Sequence, residues 1–287
     1  MVMERYYFLF GLALVYIVFA VVQDFKKEEI ANWLNFSLIG FALAYRAFYA
    51  LSFNEAMFFV YGLIGLALFF VFANAFYYTG VFGGGDAKLL MGLGVVLPIS
   101  GFSDLFFVGF MFVFLLFAVG AVYSLVYSLF LVKNNFKIFK KEFGKHLFGK
   151  KILFGLSVLI GGVFGFIAGN GFGFDVGMIV FGFFALFPLL YFYLFSVEKC
   201  MIKLVSPFEL TEGDWLVSDV NLKNGIIKKN IHGLSFEDIK KLRKAGRSVL
   251  IKKGIPFTPA FLITLVIMVF FSEALESLLI QFLALLS

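Results

Sequence analysis

The chain has 287 residues, of which 62% are hydrophobic and 21% aromatic, with only 15% charged, a formal net charge of +6 and a mean hydropathy of +1.00. Soluble domains run at roughly 45–50% apolar and about a quarter charged, so this composition excludes a soluble globular protein and specifies an integral membrane one. The single cysteine, Cys200, excludes a disulfide framework and a multi-cysteine zinc site. His146 and His232 both lie in Lys-rich loops, which argues against a histidine metal cluster and gives an expectation of no metal and no cofactor.

In chain order, apolar runs cover residues 6–23, 33–52, 56–78, 86–99, 104–132, 152–169, 174–196 and 259–280. A spanning helix needs about 20 apolar residues. The expectation is therefore an all-α polytopic membrane protein with about eight (six to eight) transmembrane helices. The fourth run is short for a full crossing. The N-terminus shows neither a basic region nor a small-residue cleavage site, so the first run reads as a retained helix. Asn35-Phe36-Ser37 fits the glycosylation triplet but falls inside a span, which removes that reading.

Alternating the spans places 22 of the 24 Lys and Arg residues on one side: in the loops 24–32, 80–88, 133–151 and 197–258. The positive-inside rule assigns that side to the cytoplasm and the N-terminus to the outside. The positive charge is thereby accounted for without nucleic acid. Arg5 stays on the outer side, and Arg46, within the second span, is expected to snorkel toward the outer interface. The domains expected are a membrane core over 1–132, a basic cytoplasmic loop over 133–151, accessory helices over 152–196, a small cytoplasmic segment over 197–258 and a last membrane helix over 259–287.

The segment 197–258 has the composition of a small α/β-like insertion. Ser235-Phe236-Glu237-Asp238 reads as a capping box opening a helix. Trp215-Leu216-Val217 and Gly225-Ile226-Ile227 read as short strands beside turn-like clusters. At about 55 residues it is small for an independent fold and is expected to lean on the membrane body. Gly161, Gly162, Gly165 and Gly169 have the spacing of a close helix–helix contact. Glu273 and Glu276 share one face of the last helix near the outer interface, where solvation or pairing is expected.

The chemistry concentrates at Gly83-Gly84-Gly85-Asp86-Ala87-Lys88. A carboxylate near hydrocarbon depth is costly and marks a functional site by default. Three glycines ahead of it let the backbone depart from helical geometry and approach a ligand closely. With loop acids and outer-face acids set aside, the partner for Asp86 is Asp24, in Gln23-Asp24-Phe25-Lys26-Lys27 at the cytoplasmic end of the first span. Taken alone, Asp24 could equally be an interfacial charge beside Lys26 and Lys27. Two carboxyls brought together cannot both ionise readily, so the pair shares a proton. Such a pair suits amide hydrolysis: one carboxylate takes a proton from water while its protonated neighbour donates to the scissile carbonyl. Lys88 reads first as a cytoplasmic anchor and second as a residue that tunes the pair or steers substrate.

Gly83-Gly84-Gly85-Asp86 contains the Gly-x-Gly-Asp signature of intramembrane aspartyl proteases, and its continuation Ala87-Lys88-Leu89-Leu90 resembles the type IV prepilin peptidase and archaeal preflagellin peptidase branch. Asp24 followed by Ile30 and Asn32 is similar to that family's first site, an Asp followed by Ile-Pro-Asn, with Ala31 in place of the Pro. The resemblance covers residues 6–130 well. Residues 197–287, including Gly254-Ile255-Pro256-Phe257-Thr258-Pro259, resemble the C-terminal part of archaeal members more weakly. It implies an aspartic endopeptidase of the cell membrane with Asp24 and Asp86 catalytic and Gly83, Gly84, Gly85 and Lys88 shaping the site. The implied substrates are prepilin-like or preflagellin precursors, cut between a basic leader and a hydrophobic helix held in the bilayer. Bacterial members often add a tetracysteine zinc module and methylate the new N-terminus. One cysteine does not supply that module, so peptidase activity without methylation is expected.

Three other readings are weaker. A presenilin-like or signal-peptide-peptidase-like protease would carry Tyr-Asp at the first site and Pro-Ala-Leu near the C-terminus, against Gln23-Asp24 and Pro259-Ala260-Phe261 here. A cation-coupled transporter would show repeats and acids at mid-bilayer. A non-catalytic scaffold leaves the aspartate pair without a purpose.

Overall fold

The computed structural model describes residues 4–222, 225–230 and 233–271. The chain divides into two compact units, one formed by Met1–Leu125 with Gly254–Ser287 and the other by Val126–Lys253. Among the described residues six helices are long and apolar enough to cross a membrane: α1 (Glu4–Lys27), α2 (Asn32–Phe53), α3 (Ala56–Tyr78), α5 (Phe102–Asn134), α7 (Lys151–Phe172) and α8 (Phe174–Cys200). Their outward faces are rich in exposed aromatic and aliphatic side chains such as Phe114, Phe166 and Ile179, as a lipid solvent requires. Two shorter helices complete the first unit: α4 (Gly84–Val96) and α10 (Thr258–Phe270). Glu273 and Glu276 lie outside the described residues, as does His232.

In the first unit α4 is the centre. Its 13 residues make a rod of about 20 Å, shorter than the roughly 30 Å hydrocarbon layer. Ala87, Leu89, Leu90, Leu93, Val95 and Val96 are all buried, so the helix is apolar nearly all round and functions as core. Small residues let its neighbours close in. A Cβ on Gly65 of α3 would run into the Gly94 carbonyl of α4, and one on Gly94 would meet the Gly65 oxygen at 2.6 Å.

Because α4 stops at Val96, its last carbonyls have no helical donors. Arg46 of α2 supplies them. Its Nε donates to Val95 O at 2.7 Å and Nη2 to Leu97 O at 2.8 Å, while Nη1 donates to Phe58 O in the first turn of α3 at 2.8 Å. The guanidinium carbon lies 4.6 Å from the Phe58 ring centre and 5.3 Å from that of Tyr6, both within cation–π range. Arg46 is 0% exposed, so the expected snorkelling is corrected: the side chain turns inward because the short helix leaves oxygen atoms that only a long, multi-donor side chain can reach.

The second unit holds the end of α5, then α6 (Phe136–Gly149), α7, α8 and a small sheet-bearing region. Residues 133–151, expected as a loop, are largely helical. The α6 apolar residues return with helical period, and Phe139 and His146 pack on Tyr193 and Phe192 of α8. The α7–α8 contact is built on Gly161, Gly165, Gly169 and Gly177, whereas Gly162, expected in the same stripe, faces open space.

The insertion pairs β1 (Ile202–Val205), β5 (Val249–Lys252) and β2 (Trp215–Leu216) in an antiparallel sheet of order β1-β5-β2, with Val205 opposite Val249 and Leu216 opposite Ile251. A hairpin joins β3 (Val220–Leu222) to β4 (Gly225–Ile227). Helix α9 (Phe236–Ala245) opens with the capping box expected at Ser235 and Asp238. Val205, Leu216, Ile227, Ile239, Leu242 and Ile251 share one apolar cluster, so this region has a core of its own.

Candidate active site

Asp24 lies in the last turn of α1 and Asp86 in the first turn of α4. Both are half-buried. They belong to the same compact unit, and the Asp24 carboxylate is the neighbouring charge that acts on Asp86. The two sequence-expected acids, on helices more than 50 positions apart, thus lie within electrostatic reach of each other.

Each carboxyl is held by backbone at a helix terminus. Gly83 is the N-cap of α4, with φ −68° and ψ 163°, and Asp86 is the third residue of the helix. From that position the Asp86 carboxyl reaches back to the Gly83 backbone N–H, the acidic half of a capping box. Asp24 meets the start of α10. The Thr258 hydroxyl donates to Asp24 Oδ2 at 2.8 Å and the Thr258 N–H donates to the same oxygen at 3.2 Å. The Phe257 backbone adds a further hydrogen bond. A carboxylate at a helix N-terminus meets unsatisfied N–H groups and the positive end of the helix dipole.

The connection from α1 to α2 braces this arrangement. Glu28 takes φ 55°, the left-handed conformation that closes a helix, and its N–H donates to Asp24 O. Ala31 has φ −63°, the angle a proline would fix, but its N–H donates to Gln23 Oε1 at 2.9 Å. A proline there would forfeit that bond. Ile30 is buried and packs on Gly85, where a Cβ would approach its side chain to 3.1 Å.

The glycine run behaves differently from expectation. Gly84 and Gly85 are helical and none of the three has positive φ, so they begin α4 instead of interrupting it. Only Gly85 is pressed by a neighbour; a Cβ on Gly84 would make ordinary contact with Tyr77 at 3.7 Å. Lys88 Nζ donates to Asn32 Oδ1 at 2.6 Å and ties α4 to the start of α2.

Two residues of this site were not singled out in the sequence for such a purpose. Asn35, fully buried, donates from Nδ2 to Gly85 O at 3.2 Å, and its Oδ1 is without a hydrogen-bond partner among the described residues. Thr258 is fully buried as well. The signal for Thr258 was its place between two prolines at a helix start, where a hydroxyl and a free N–H coincide. Among the described residues no group of three or more His, Cys, Asp or Glu is placed to hold a metal ion.

Residues 9–125 match the type IV leader peptidase family. Over 82 residues the chain is 29% identical to a preflagellin peptidase of Methanocaldococcus jannaschii, and over 82 residues it is 27% identical to one of Methanococcus maripaludis strain C6. A third preflagellin peptidase, of Methanococcus voltae, is 27% identical over 95 residues. These segments are 29–32% of this chain, and the chain spans only 35–40% of the length of the relatives it matches. No solved structure matches.

Proposed function

We propose, from the match of residues 9–125 to the type IV leader peptidase family, that this chain is a membrane-embedded aspartic endopeptidase. It removes the basic leader from a type IV prepilin-like or preflagellin precursor at the cytoplasmic face of the cell membrane. The reading rests on Asp24 and Asp86, each at a helix terminus and within electrostatic reach of the other, inside the family-matched region.

The chemistry needs only the pair and a water. The ionised carboxylate takes a proton from water as the water oxygen bonds to the scissile carbonyl carbon, and the protonated carboxyl gives its proton to the carbonyl oxygen. As the tetrahedral intermediate collapses, the C–N bond breaks and the first carboxyl passes its acquired proton to the departing amine. The second regains a proton from the collapsing diol. Donor and acceptor thus return to their starting states with no cofactor. A substrate with an apolar helix in the bilayer and a charged leader in the cytoplasm presents its junction at the depth of Asp24 and Asp86. With Cys200 the one cysteine, the activity proposed is cleavage without N-methylation.

The test is cleavage of a preflagellin-like precursor by detergent-purified protein beside Asp24→Asn and Asp86→Asn. Both variants, folded, are expected to lose on the order of a thousandfold or more in kcat, as loss of either partner disables the unit. Cleavage that survives either substitution sinks the two-aspartate mechanism. Wild type that cuts no precursor, while a solute moves into vesicles in a manner dependent on Asp24, favours the transporter instead.

A further inference from the structure

Thr258 stands 234 positions from Asp24 and outside residues 9–125, yet it supplies two hydrogen bonds to one of the two carboxyls. Both go to one oxygen, Oδ2, at 2.8 Å from the hydroxyl and 3.2 Å from the backbone N–H. Thr258 is 0% exposed, so water does not compete for the hydroxyl. It is the first residue of α10 after the N-cap Phe257, where the backbone N–H groups have no helical acceptor. Asp86, by comparison, receives one backbone N–H, from Gly83, and faces the Asp24 charge.

Hydrogen bonds given to the charged form of an acid favour that form. The donors are unequally divided, so the two acids are not equivalent. Resting on the two-aspartate reading above, we infer that Thr258 is a positioning residue: it pins Asp24 Oδ2, keeps Asp24 as the ionised base that takes the water proton, and leaves Asp86 as the acid that protonates the scissile carbonyl. The start of α10 is then part of the active site, contributed by a segment beyond the family-matched residues. Lys26, Lys27 and Glu28 are the other charged groups near Asp24 along its own chain, while Asp86 faces it from α4.

Three proteins decide the matter: wild type, Thr258→Val, which keeps the shape and the N–H but removes the hydroxyl, and Thr258→Ser, which restores it. Thr258→Val is expected to lower kcat by about 10- to 100-fold with KM little changed, the cost of one hydrogen bond to a charged group, and Thr258→Ser to recover most of it. Thr258→Val with wild-type kcat, or a loss that Ser does not restore, overturns the inference while cleavage by wild type leaves the peptidase reading standing.

A second readout does not depend on activity. Dicyclohexylcarbodiimide couples to protonated carboxyls in apolar surroundings, and peptide mass mapping locates the adduct. At neutral pH the wild type is expected to be labelled at Asp86 and spared at Asp24, with Thr258→Val opening Asp24 to labelling. Equal labelling, preference for Asp24, no labelling of either acid, or a pattern untouched by Thr258→Val overturns the inference. The wild-type pattern alone still decides if the Val variant fails to fold. An inactive wild type with the expected pattern would sink the peptidase reading and keep the asymmetry.

Discussion

At its C-terminal end α4 is fastened by one buried side chain, Arg46, whose three donors meet three carbonyls, with the Tyr6 hydroxyl donating to Ile99 O beside them. At its N-terminal end the same helix is tethered by Asn35 and Lys88, with Asp86 half-buried and Asn35 Oδ1 unpartnered among the described residues. The contrast separates two uses of polarity in an apolar bundle. Polar groups that satisfy one another completely lock geometry, because leaving any of them unpaired is expensive. Polar groups left partly open keep capacity for a substrate or a water. On the peptidase reading, a helix fixed at one end and open at the other would offer an extended peptide backbone something to bind without loosening the core.

The comparison breaks most severely at Arg46. Arg46→Met would remove three buried hydrogen bonds, leave the Val95 carbonyl without its donor and cost about 3 kcal/mol of stability, read as a lower unfolding temperature in detergent. A variant as stable as wild type would show that the anchored end is not anchored by Arg46. Next comes the α3–α4 approach. Gly94→Ala pushes a methyl into Gly65 O and the Phe69 side chain, and overpacking of this sort costs about 1–3 kcal/mol, again visible in thermal unfolding.

The open end should respond in rate more than in stability. Asn35→Leu removes the bond to Gly85 O that seats the turn before Asp86, a net loss of about 1 kcal/mol. If that loss falls on the transition state, kcat drops about fivefold at nearly unchanged stability. A large fall in unfolding temperature with kcat intact would reverse the assignment. The smallest effect separates two adjacent glycines. Gly84→Ala has room and gains helix propensity, so it is expected to be neutral or stabilising by a few tenths of a kcal/mol. Gly85→Ala presses on Ile30 and should be the worse of the two by about 0.5–1 kcal/mol in a side-by-side melt.

Much of the site was legible because acids are rare in apolar runs: Asp86 and Asp24 could be paired by elimination, and the membrane helices follow from length and hydropathy alone. What escaped depends on contacts across the chain. Arg46 was read as snorkelling because a lone cation near a helix end does so by default; the stranded carbonyls of α4 that recruit it exist only once that helix is known to stop at Val96. The strands Trp215–Leu216 and Gly225–Ile227 stood out beside turn residues, whereas Ile202–Val205 and Val249–Lys252 are short, flanked by lysines and defined by each other. Asn35 was legible as a residue but not as a tether, since its partner is a backbone carbonyl 50 positions away.

The bond from Thr258 to Asp24 also has a consequence in time. It closes a loop of 234 positions, and bringing such distant points together costs about 5 kcal/mol in chain entropy. A ribosome working at about 5–20 residues per second delivers Asp24 and Asp86 well before the segment that holds Asp24 in place. For the intervening seconds the membrane contains both acids without the completed site. On the two-aspartate reading, a site lying in the same bilayer as other nascent chains is armed only once Thr258 has been made.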